Sequence, residues 1–297
     1  GHADLVGVLK YDRVDARDIL ERASARETTA RVAAGALARR LLDEFGIEVG
    51  SHVVSLGGVV AHPLSELPVP LNESADRSQV RTLDSVAEAA MIARIDGARA
   101  AGDTLGGEVE IVARGVPLGL GSHVSWDRKL DGRMAAMLMS IPAVKGVEIG
   151  LGFEAARRPG SEVHDPIIDD GTAGAFGTRL RRRSNNAGGL EGGMTTGEPL
   201  VVRVAMKPIS TLMTPLETVD LRSGSRASAQ SERSDVTAVP AMGVIAEALV
   251  CLVLADAMLE KFGGDSLGET RRNLEGYTSS LGERWAAITE AEGLEHG

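Results

Sequence analysis

Between Val244 and Ala255 the chain is apolar at every position except Glu247, and the run stops against Asp256. Read as part of one helix from Met242 to Phe262, this stretch is hydrophobic around nearly its whole circumference. Such a helix belongs either inside a large core or across a bilayer. Spanning a bilayer takes about 20 consecutive apolar residues, and Glu247 and Asp256 cut the run short. The sequence therefore predicts a central core helix that other elements must cover on all sides. The chain has 297 residues, enough for one large domain or two small ones at about 150 residues each.

Aromatic residues make up only 3% of the chain and glycine accounts for 36 positions, so the core must be aliphatic and turns must be frequent. The net charge of -10 argues against nucleic acid as a partner, because binding a phosphate backbone needs an excess of Lys and Arg. A local arginine cluster could still hold a small anion. Cys251 is the single cysteine, which excludes an internal disulfide and a cysteine metal cluster. No charged-then-apolar leader opens the chain, and a soluble, cytoplasmic protein with no membrane partner is expected. Gly1 is not a translation start.

Apolar spacing predicts helices over Ala16 to Leu42, Leu83 to Ala101, Asp131 to Ser140, Met242 to Phe262 and Leu267 to Ile288. Val-rich or alternating stretches predict strands at Glu48 to Val60, Val144 to Phe153 and Leu200 to Met206, with a hairpin over Gly107 to Ser122. Residues 61–82 and 157–187 read as loops, the second carrying Arg179, Arg181, Arg182 and Arg183 as a solvated charge run. The tail over 289–297 reads as flexible. Without regular βαβ alternation, an α+β class is expected.

Gly264 to Gly268 spells the G-x-S-x-G pattern of a hydrolase nucleophile elbow at Ser266, which needs a strand before the serine. A long helix precedes it here, and Ser266 with Glu269 makes a capping box. A serine hydrolase is thus the remote alternative. None of the six histidines has metal-ligand spacing, so no metal site is expected.

A further set of stretches carries a family likeness. These are Gly1-His2-Ala3-Asp4, Lys10-Tyr11 and Glu21 to Thr28 (ERASARET), Asp103 to Gly107 (DTLGG), and Met139 to Gly150 (MSIPAVKGVEIG). Asn185 to Gly193 (NNAGGLEGG), Lys207 to Thr211 (KPIST), Arg233 to Asp235 (RSD) and Lys261 to Leu267 (KFGGDSL) complete it. In this order the chain closely resembles the chorismate synthase family. The resemblance implies a β-α-β sandwich, with central helices between antiparallel sheets, forming a single domain and a homotetramer. It also implies conversion of 5-enolpyruvylshikimate 3-phosphate to chorismate by anti 1,4-elimination of phosphate, with reduced FMN as cofactor and NADPH only indirectly, to reduce the flavin.

Carried over by motif, the resemblance makes His2 and Asp235 catalytic. It places Arg22, Ala23, Ser24, Pro142, Ala143, Gly192, Lys207, Pro208, Ile209, Ser210, Thr211 and Arg233 on the flavin, and Arg26 and Arg233 on the substrate. Chemically, Lys207 beside two hydroxyls can cradle a phosphate. Arginine suits carboxylate and phosphate through its planar fork, and Arg26 has no acid three or four residues away. Asp235 reads equally as an N-cap. Ser234 stands where the family usually has His, and Pro142 where it usually has Gln. Family members also carry about a hundred further residues before Gly1, as in a chain of more than one typical domain length, and another catalytic histidine lies there. The chain alone is therefore expected to be weakly active or inactive. A non-catalytic flavin- or anion-binding fragment is the alternative.

Overall fold

The computed structural model describes residues 3–23, 25–169, 180–221, 223–229 and 235–295, with backbone alone at 25 and 286–295. The helices are α1 (Asp4–Lys10), α2 (Arg17–Ala23), α3 (Ala25–Asp43), α4 (Leu71–Ala75), α5 (Ser85–Ala101), α6 (Leu130–Met139), α7 (Gly160–Val163), α8 (Val239–Phe262) and α9 (Leu267–Glu295). The strands are β1 (Glu48–Leu56), β2 (Val59–Val60), β3 (Gly107–Arg114), β4 (Val144–Ile149), β5 (Ile167–Asp169), β6 (Leu180–Arg182), β7 (Leu190–Glu191), β8 (Met194–Thr195), β9 (Leu200–Met206), β10 (Glu217–Val219) and β11 (Arg226–Ser228). Helix and sheet are mixed without βαβ alternation, as expected for the α+β class.

One antiparallel sheet, in the order β2-β1-β3-β9-β4, organises the molecule. Its register sets two faces, because side chains alternate along a strand. Val53, Val109 and Val204 lie in one cross-strand row, and His52, Glu110, Arg203 and Glu148 in the next. The first face meets α8, whose Gly243 backs onto Ser51 and Val109. Helix α3 crosses α8 on its other side, at Gly35 and Ala248. Three two-stranded ribbons, β5-β6, β7-β8 and β10-β11, lie outside the main sheet. The second sheet of the expected sandwich is not among the described residues.

Several predicted elements divide or shift. The strand expected over Glu48 to Val60 is the β1-β2 hairpin, turning at Gly57 and Gly58, both at positive φ; two such residues make the tight turn that matches strand twist. The hairpin expected over Gly107 to Ser122 is a single strand, β3, which pairs instead with the sequence-distant β1 and β9. The chain leaves it at Gly115, where φ is +73° and a Cβ would lie 2.2 Å from the Gly46 carbonyl. The helix expected from Ala16 to Leu42 is described as α2 and α3, on either side of Ser24, which lies outside the described residues. Helix α8 begins three residues early, with Pro240 in its first turn, where the missing N–H costs nothing.

The loop expected over 61–82 contains α4, and that over 157–187 contains α7, β5 and β6. The arginine run is only partly solvated. Arg182 makes a bidentate pair with Glu191 at 2.8 and 2.7 Å, a geometry that the planar guanidinium favours. Residues 289–295 continue α9.

Candidate active site

Strand β9 ends where Pro208 removes the next ladder donor, and the chain beyond it is fixed by three sequence-distant segments. The Lys207 backbone N–H donates to the Ala143 carbonyl at 3.0 Å. Ala143 holds the left-handed region at φ +69° just before β4, a conformation sparsely open to a residue with a Cβ. The Thr104 hydroxyl donates to the Ile209 carbonyl at 2.7 Å. The Leu105 N–H donates to the Val236 carbonyl at 2.7 Å. Gly106 allows this convergence, because a Cβ there would lie 2.3 Å from the Met206 carbonyl and 3.0 Å from the Pro208 ring. Parts of the DTLGG, PA and KPIST stretches, with Val236 next to Asp235, are thus joined by these hydrogen bonds and by the close approach at Gly106.

The segment after Pro208 has a hollow at each end. The first, of about 290 Å³, is lined by Asp4, Arg17 and Leu20 from α1 and α2, and by Ser210, Thr211 and Thr218. Two polar atoms here, Asp4 Oδ1 and Ser210 Oγ, are shielded from solvent and have no hydrogen-bond partner. The second, of about 320 Å³, is lined by Arg99, Asp103, Thr104, Met213, Asp235 and Val236. Asp235 is exposed at this hollow, and the N-cap of α8 is Ala238. The capping alternative for Asp235 is therefore excluded by register. Neither hollow is lined by both Asp4 and Asp235.

The expected residues fall into three groups. Pro142, Ala143, Lys207, Pro208, Ile209, Ser210, Thr211 and Asp235 share the convergence or its hollows. Gly192 does not: it forms, with Gly193, the positive-φ turn of the β7-β8 ribbon. That ribbon is bonded to Leu120 and Leu130 through Thr195 and Gly193. Arg22 lies exposed near the C-terminal end of α2, followed by half-buried Ala23. Arg26 is exposed and pairs with Glu21 at 2.6 Å. His2, Ser24 and Arg233 lie outside the described residues.

Sequence reasoning missed Asp4, Arg17, Thr104 and Thr218. A signal existed for two of them, since Asp4 closes the Gly-His-Ala-Asp run and Thr104 sits inside DTLGG. Arg17 and Thr218 carry no local pattern and reach the site only through tertiary packing.

Ser266 is no nucleophile elbow. It follows α8, and its Oγ accepts from the Glu269 N–H at 3.3 Å while Glu269 Oε2 accepts from the Asp265 N–H at 2.6 Å. This reciprocal pattern caps α9. No group of three or more His, Cys, Asp or Glu suited to a metal occurs among the described residues.

The family model described as chorismate synthase matches residues 1–259. A chorismate synthase of Geobacter sulfurreducens is 60% identical over 279 residues, covering 93% of this chain and 71% of that protein. One from Acidothermus cellulolyticus is 60% identical over 283 residues, covering 95% of this chain and 70% of that protein. A crystal structure of chorismate synthase superposes with a TM-score of 0.79 at 45% identity, covering 93% of this chain and 76% of that one. The chain belongs to the chorismate synthase family, the lyases that convert 5-enolpyruvylshikimate 3-phosphate to chorismate in aromatic amino-acid biosynthesis.

Proposed function

We propose that the segment from Lys207 to Met213, with the hollow at each of its ends, forms the flavin and substrate site for this elimination. The observation carrying the proposal is the set of hydrogen bonds joining Lys207 to Ala143, Thr104 to Ile209 and Leu105 to Val236, with Gly106 packed against Met206 and Pro208. The residues fit FMN: a lysine and two hydroxyls offer charge and short donors together. Reduced FMN, when bound, supplies an electron-rich ring that favours departure of the phosphate.

The chain's own residues supply the rest. In the overall reaction the allylic C–O bond to phosphate breaks, a ring C–H bond gives up its proton, and a new double bond takes that electron pair. No net oxidation occurs. The Asp235 carboxylate is the final acceptor for the ring proton, and its place at the mouth of the second hollow gives it access to substrate. The His2 imidazole is a proton donor suited to neutral pH by its ordinary pKa of about 6.5. Lys207 and Arg233 neutralise the anionic groups that must be desolvated together, each charge-assisted bond contributing about 1.5 to 3 kcal/mol.

We further propose a cytoplasmic homotetramer with a small-molecule substrate. The family resemblance supports this assembly. The activity reading is tested with Asp235→Asn under reduced FMN, in a chain extended by the family's preceding segment so that turnover is measurable. Turnover should fall at least about a hundredfold, the scale of losing a proton-transfer group, while FMN still binds. Undiminished turnover would remove Asp235 from the mechanism.

A further inference from the structure

The sheet face turned away from α8 holds a hollow of about 470 Å³, a volume within the range of small-molecule sites. The segment from Lys207 to Met213 takes no part in it. Its apolar wall is Val54, Val60, Leu64, Leu67 and Leu83, of which Val60 and Leu64 are exposed. Two of the carboxylates around it are already committed. Asp84 accepts from the Val86 and Ala87 N–H groups through Oδ1 and from His62 through Oδ2. Glu110 bonds His52 through one oxygen and Arg203 Nε through the other. Two full charges are left over. The Arg203 side chain is 43% exposed, and beyond its Nε bond both terminal nitrogens are without a partner among the described residues. Glu108 is exposed, and its carboxylate makes no hydrogen bond or ion pair among the described residues.

Strand register fixes how these two stand. Glu108 lies opposite Ala205 and Glu110 opposite Arg203, so Glu108 and Arg203 are diagonal neighbours on one face, about 7 to 8 Å apart. A carboxylate can only accept and a guanidinium can only donate. An ammonium and an adjacent carboxylate fill such a gap, each held by a charge-assisted bond of about 2.8 Å, with the carboxylate on the planar fork of the arginine. The apolar wall beside them suits a hydrocarbon side chain. We infer that this hollow binds a free α-amino acid with an apolar side chain, its charged end between Glu108 and Arg203 and its side chain against Val60, Leu64 and Leu83. No residue of the flavin site takes part, so binding here stands or falls independently of that reading.

The test is equilibrium dialysis of three ligands against the wild-type chain, Glu108→Gln and Arg203→Gln. The ligands are L-phenylalanine, 3-phenylpropanoate, which lacks the ammonium, and phenethylamine, which lacks the carboxylate. The wild type should bind one phenylalanine per chain, about tenfold more tightly than either analogue, the equivalent of one charge-assisted bond. Glu108→Gln should lose most of the preference over 3-phenylpropanoate, and Arg203→Gln most of the preference over phenethylamine. Glu108 is exposed and unbonded, so its variant keeps the fold and carries the test if Arg203→Gln, which also takes a partner from Glu110, does not fold. Saturating FMN should leave phenylalanine bound. Absence of saturable binding, equal affinity of the wild type for all three ligands, an undiminished preference over 3-phenylpropanoate in Glu108→Gln, or displacement of phenylalanine by FMN would overturn the inference.

Discussion

Glu247 is 2% exposed in the middle of α8, and its charge survives there because four side chains from other elements close on it. Arg39 and Asn72 donate to Oε2 at 2.7 and 2.8 Å, and Ser51 and Arg81 to Oε1 at 2.5 and 3.3 Å. Truncating one partner of a buried pair leaves the other charge uncompensated. Glu247→Ala should therefore cost about 3 to 5 kcal/mol, read as a lower midpoint in urea unfolding. In sequence Glu247 is only an interruption of an apolar run; its partners lie up to 208 residues away and leave no local trace. Cys251, one turn further on, is the opposite case. It is legible as an inert thiol, and burial pushes its pKa up to about 11. At pH 8 it should resist a thiol reagent until the protein is unfolded, since the thiolate is the reactive form.

At the scale of elements, identical substitutions acquire opposite signs from packing. Gly97, in the middle of α5, has nothing within 4 Å of an added Cβ. Gly97→Ala should stabilise by about 0.5 to 1 kcal/mol through helix propensity. Gly35, in α3, would place its Cβ 2.5 Å from the Ala248 side chain and carbonyl and 2.7 Å from its Cα. The same propensity gain is outweighed there by overpacking against backbone, and Gly35→Ala should lose about 1 to 3 kcal/mol. Chemical denaturation of the pair checks both signs. Helix α8 shows the same dependence on context. By length and mean hydropathy it could cross a membrane, but most of it is buried among α3, α6 and the main sheet.

Across the molecule, the sheet face opposite α8 carries the row His52, Glu110, Arg203, Glu148. Burial pushes the Glu110 carboxyl up, but hydrogen bonds from His52 at 3.2 Å and Arg203 at 2.9 Å more than offset it. The group is held below the ordinary glutamate range. At the start of α5, Asp84 is likewise held well below its usual value, first by the His62 backbone N–H and then by the His62 ring and the Ala87 N–H. A carboxyl depressed in the folded state adds stability above its unfolded pKa and loses it as pH falls through the folded value. Stability should therefore fall as pH drops below the ordinary carboxylate range, and Glu110→Gln should flatten that decline in a series of melts against pH.

By itself the sequence determined the secondary-structure content of its strongly periodic stretches, the core helix, the cap at Ser266 and the family. Each depends on neighbours within a turn or two, or on motifs in order along the chain. Tertiary structure alone decided that β3 pairs with β1 and β9, that Arg26 pairs with Glu21, and that Gly192 turns the β7-β8 ribbon. It alone placed Asp4 and Ser210 on one hollow. Strand pairing and buried hydrogen bonds join atoms distant in the chain, and the choice of partner is made by whatever else packing brings within about 3 Å.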